Sequence, residues 1–205
     1  NVRSGYSDTI NHALAFAAKY YTPRGRQGTG LSYRTHPPHL GVILARYDCD
    51  DATIVSGILH PVLAATPRHA QVSVRHKIAD KFGSSVITIL ADACEPRSDH
   101  RGGGGRPWGA WKTEYITQLA GACSGALDVC VASEIHICGS LVADLRRLGP
   151  EYLSSISEAS AEELQWWHGL LLESLHARLD WNRREMLAEL RGLVGTLKRA
   201  LDQSR

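Results

Sequence analysis

The sequence predicts an all-α fold. Apolar residues recur at intervals of three and four along most of the chain, and the sustained alternation that a half-buried strand requires is absent. The 205 residues are enough to bury a proper core, so one domain is expected, with residues 1–150 as its main helical body and 151–205 as a C-terminal helix pair packed on the same core. No self-similarity at a period of about 20 to 50 residues is visible, which argues against a solenoid.

The elements follow in order. A first helix is expected to be capped at Ser7 or Asp8, to carry Ile10, Leu14, Ala17 and Ala18 on its inner face, and to stop before Pro23. A Gly-rich basic loop, residues 24–30, comes next. A second helix follows Pro37-Pro38 and ends at the acidic turn of residues 48–51, which also supplies the N-cap of a third helix carrying Ile54, Val55, Ile58, Leu59 and His60, with Pro61 directly after it. A fourth helix is read from Ser73 to Phe82, ended by Gly83, and a fifth from Val86 to Ala93. Residues 95–107, with four consecutive glycines and two prolines, have the composition of a loop. Helical spacing resumes through Trp108, Trp111, Tyr115 and Leu119. After Gly125 a long apolar helix carries Val129, Ala132, His136, Leu141 and Leu145, and is expected to be central. Beyond Gly149-Pro150, helices from Ala161 to about Leu179 and from Arg183 to about Asp202 read as an antiparallel pair, the last with Met186, Leu190, Leu193 and Leu197 on one stripe.

Composition narrows the function classes. With 23 basic against 21 acidic residues, and no basic stripe, nucleic acid is not implied. Five widely spaced cysteines without a CxxC pair fit neither a disulfide framework nor a zinc knuckle, and suit a reducing cytoplasm. A run of about 18 apolar residues and a leader-like N-terminus are both missing, so neither a membrane span nor a signal peptide is expected.

The chemistry begins at Arg26-Gln-Gly-Thr-Gly-Leu-Ser-Tyr-Arg-Thr-His-Pro37, a basic glycine loop leading to a histidine ahead of a helix. It continues at Asp50-Asp-Ala-Thr-Ile-Val-Ser-Gly-Ile-Leu-His60, at Phe82-Gly83, at Trp108 with Lys112 and Tyr115, and at Ala132-Ser-Glu-Ile-His136 with Leu141-Val-Ala-Asp-Leu145. In this order the segments resemble the RelA/SpoT-type hydrolases, HD-domain enzymes that remove pyrophosphate from the 3′ position of guanosine tetra- and pentaphosphate. The resemblance spans roughly residues 7–200 and implies an HD-domain helical bundle.

That family holds a divalent ion, usually manganese, with two histidines and two aspartates. The resemblance places His36 and His60 at the histidine positions, but Pro61 and Ser133 stand where the aspartates belong, and Ala64-Ala65 where a Glu-Asp pair would handle protons. Neither proline nor a neutral hydroxyl can act as an anionic ligand, and alanine cannot transfer a proton. The chain therefore reads as a degenerate member, with no catalytic acids and no required cofactor. His36 and His60 are either polar core remnants or part of a manganese site rebuilt with other donors such as Asp128, Glu134 or Asp144. His136 matches a pocket-supporting histidine and otherwise reads as a hydrogen-bonded core residue. Arg26, Arg34, Lys112 and Arg75 are candidates to meet a guanine nucleotide, although Gln27 replaces the family's lysine and the loop is equally readable as a solvated turn. Trp166, Trp167 and Trp181 suit packing or a protein-binding face. Two functions remain open: an inactive pseudohydrolase that binds a nucleotide or protein partner, and a phosphohydrolase with a rearranged site.

Overall fold

The computed structural model describes residues 7–20, 36–96 and 107–202. Among these residues every regular element is helical: α1 (Asp8–Tyr20), α2 (His36–Arg46), α3 (Asp51–Ala65), α4 (Arg68–Phe82), α5 (Ser84–Ala93), α6 (Trp108–Gly121), α7 (Ser124–Leu148), a 3-10 turn (Pro150–Tyr152), α8 (Leu153–Ile156), α9 (Ala161–Ala177) and α10 (Arg184–Asp202). Local chemistry sets several boundaries. The Asp50 carboxylate accepts from the Thr53 amide at 2.8 Å and starts α3. Ser160 and Glu163 form a reciprocal capping box that starts α9. Gly83 and Gly149 end α4 and α7 at φ of 89° and 91°, a region that side chains with a Cβ resist.

Two helices form the interior. In α7, residues on nearly every side are buried, from Ala126 to Leu145, and α3 is buried almost continuously from Thr53 to Leu63. The remaining helices cover them, with α10 lying along α7 and α2 along α3, and side chains from α1 to α7, α9 and α10 join one apolar core. Among the described residues α7 is also the one helix long and apolar enough to cross a membrane, but 72% of its apolar window is inside the fold, as a core helix requires. None of the five cysteines is paired.

Several boundaries and faces differ from the sequence reading. Helix α2 begins at His36 rather than after Pro37-Pro38, since prolines fit the first turn, where amides have no helical acceptor. The inner face of α1 is Ala13, Phe16 and Ala17, while Leu14 and Ala18 face outward, because Phe16 turns inward onto Tyr20 and Phe82. Helix α4 begins at Arg68 rather than Ser73, directly after Pro67. Helix α3 runs through Pro61 to Ala65; proline has no amide hydrogen, so the Gly57 carbonyl loses its helical donor while packing holds the helix on course.

Candidate functional site

One cleft of about 610 Å³ opens between the start of α2, α3, α4, the end of α5, α6 and α7. Its wall carries His36, His60, Pro61, Ala64 and Ser133, so residues spread over almost a hundred positions of sequence meet in one place. Ala65 is exposed and outside that lining. His36, the first residue of α2, is 4% exposed, and its Nδ1 lies 2.7 Å from Nδ1 of His136. One ring must donate and the other accept, so the two Nδ1 atoms share one proton. The His39 ring also lies against His136, tilted by 47° with ring centroids 4.9 Å apart.

The other wall is polar. Arg68, Gln71 and Arg75 project from α4 at spacings of three and four, which puts them on a single face. Glu95, Glu114 and Gln118 line the same cleft. The Gln118 amide is committed to backbone carbonyls of Asp92 and Cys94, at 2.7 and 2.9 Å. Cys94 also lines the cleft; burial pushes its thiol up to about 11 although Arg75 pulls the other way, which favours the neutral thiol.

Lys112 stands outside this lining. It is buried, its Nζ is 2.8 Å from a Glu95 oxygen, and it lies 4.1 Å from the Trp167 ring centre, so its charge holds Glu95 in place instead of projecting toward a ligand. Arg26, Arg34 and the loop of residues 24–30 lie outside the described residues. The carboxylates weighed as substitute ligands are engaged elsewhere. Asp128 accepts from Trp181 Nε1 at 2.7 Å and pairs with Arg183 at 3.4 Å. Glu134 lies beside Trp167 and His168. Neither these two nor Asp144 line the cleft. Arg68, Gln71 and Glu114 escaped the sequence reading, although the first two share the helical spacing of Arg75; placing the start of α4 at Ser73 concealed that stripe.

The donor set can be tested against a divalent ion. His36 and His60 remain, but Pro61, Ala64 and Ser133 supply no carboxylate, and of the two carboxylates in the lining Glu95 is already bound by Lys112. Among the described residues neither histidine belongs to a set of three close potential ligands. These residues do not fit the expected two-histidine, two-aspartate ion.

A family model described as HD domain matches residues 13–102. Over these residues the fold is that of an HD domain. The matched stretch holds both cleft histidines and Pro61, whereas Ser133 and the helices from α6 onward lie beyond it. The crystal structure of lmo0812 from Listeria monocytogenes EGD-e superposes with a TM-score of 0.65 at 20% identity, over 83% of this chain and 99% of that one. A metazoan ortholog of SpoT, described as hydrolysing ppGpp and playing a role in starvation responses, superposes with a TM-score of 0.62 at 16% identity, over 98% of this chain and 96% of that one. At such identities the likeness establishes a shared fold. A search of curated proteins returns no match.

Proposed function

We propose that this chain is a pseudohydrolase of the HD fold, which uses its cleft to bind a guanine nucleotide without hydrolysing it and acts through the bound state, as a regulator of another enzyme. The observation that carries this reading is the composition of the cleft: it keeps two histidines and a stripe of Arg68, Gln71 and Arg75, yet has Pro61, Ala64 and Ser133 where acids would hold a metal and move protons. Losing general acid–base groups alone costs roughly 10²- to 10⁴-fold in rate, and losing a metal-activated water costs more. An arginine stripe, by contrast, binds phosphate oxygens without metal. With Glu95 neutralised by Lys112, the cleft retains a positive surplus suited to a polyphosphate. Five unpaired cysteines accord with a cytoplasmic setting.

The test combines turnover with binding. Guanosine tetraphosphate incubated with the protein and manganese should release no pyrophosphate above background, while guanosine tetraphosphate or GDP should raise the melting temperature by mass action. Manganese-dependent turnover that His60→Ala abolishes would overturn the proposal and favour a hydrolase drawing on Glu95 or Glu114. No shift with any guanine nucleotide would move the reading to a protein partner.

A further inference from the structure

We propose that Glu134, Cys138 and His168 form a buried zinc site, separate from the cleft. Glu134 and Cys138 lie one helical turn apart on α7, so their side chains share a face, and His168 reaches them from α9. The His168 Nε2 atom is 3.3 Å from a Glu134 oxygen and 3.2 Å from the Cys138 sulfur, and the three ligand atoms all lie within 4.8 Å of one another. The three residues are 5%, 0% and 2% exposed.

Two features distinguish this cluster from an ordinary hydrogen-bonded core pair. A ring nitrogen carries one hydrogen or one lone pair, so Nε2 cannot make good bonds to both a carboxylate and a sulfur. A cation at their meeting point engages all three. With the separations observed, a point equidistant from the three atoms sits about 2 Å from each, near the lengths of zinc bonds to nitrogen, oxygen and sulfur. Second, the other Glu134 oxygen is 3.3 Å from Trp167 Nε1, which orients the carboxylate in the way outer-shell donors orient metal ligands.

Ligand chemistry and charge select the metal. One sulfur, one imidazole and one carboxylate suit zinc, with a water molecule completing four-coordination. A thiolate, a carboxylate and a neutral imidazole around a divalent ion sum to zero, and the neighbouring Lys112–Glu95 pair is also neutral, so the ion would leave no net charge in this part of the core. On binding, the thiol and any imidazolium each release a proton. The ion then ties α9 to the central helix.

Metal analysis and cobalt spectroscopy test the site. Protein purified without chelator should contain about one zinc per chain. After chelator extraction, Co²⁺ should give thiolate-to-cobalt charge-transfer absorption, and adding Zn²⁺ should abolish it and raise the melting temperature. Cys138→Ala should lose both the metal and the absorption, while His36→Ala/His60→Ala should keep them. A wild-type protein without zinc and without a cobalt–thiolate band overturns the proposal, as does metal that persists in Cys138→Ala or departs with the cleft histidines. The wild-type spectrum decides the matter even if Cys138→Ala fails to fold. None of these readings depends on nucleotide binding.

Discussion

Single side chains close the ends that helices leave open. Arg178, just past α9, donates to the carbonyls of Leu119, Ala120 and Ala122 at 2.7, 3.2 and 2.8 Å, satisfying the C-terminal acceptors of α6. Asp180 holds it in place with two bonds, at 2.8 and 2.7 Å. The Arg178 guanidinium keeps the Asp180 carboxyl at about 2, below its ordinary 3.8. A depressed carboxylate contributes stability that is present above 3.8 and is lost as pH falls through about 2. Asp180→Asn should therefore be less stable than wild type at neutral pH, with the difference vanishing toward pH 2 in denaturant titrations at a series of pH values. A difference that stays constant across that range would show that the ion pair contributes nothing. Asp128 has the opposite bias: burial raises its pKa, and the bonds from Trp181 and Arg183 only partly offset that.

At the scale of elements, the crossing of α2 and α3 sets how closely the central layer packs. A Cβ on Gly57 would lie 2.3 Å from Leu44 Cδ1, and one on Gly41 would lie 3.2 Å from Ile58. Gly57→Ala gains about 1 kcal/mol of helix propensity but must displace the fully buried Leu44 side chain, so a net loss of about 1–2 kcal/mol is expected. Gly192, exposed on α10 with nothing within 4 Å of its would-be Cβ, provides the control. There the same substitution should stabilise by up to about 1 kcal/mol. Paired thermal melts decide it: shifts of the same sign would show that Leu44 repacks at the crossing without cost.

For the whole molecule, the cleft is assembled from six helices, α2 to α7, and its lining carries both charges, arginines on α4 and carboxylates just past α5 and on α6. Binding an anion there should depend on Arg75 and on salt. Arg75→Ala is expected to weaken GDP or guanosine tetraphosphate binding about tenfold, the worth of one charge-assisted hydrogen bond. Glu114→Gln should leave it unchanged or stronger. Titration calorimetry at two ionic strengths checks both; equal affinity for wild type and Arg75→Ala would place any ligand elsewhere.

The sequence by itself determined the all-α class, the order of the helices and most of their ends, because helical spacing, caps and glycine stops act within a few residues. Its motif resemblance also grouped His36, His60, Pro61, Ala64, Ala65 and Ser133 before any distance was known; all but Ala65 line one cleft. Only the tertiary structure decided which side of α1 faces the core, since a shift of one position turns a helix face by about 100° and Leu14 and Phe16 compete for the same interior. It also decided that Lys112 is committed to Glu95, that the Arg68 stripe lines the cleft, and that Glu134 and Cys138 meet His168 rather than the cleft histidines. Such pairings join residues tens of positions apart. Packing selects among partners that local spacing leaves equivalent.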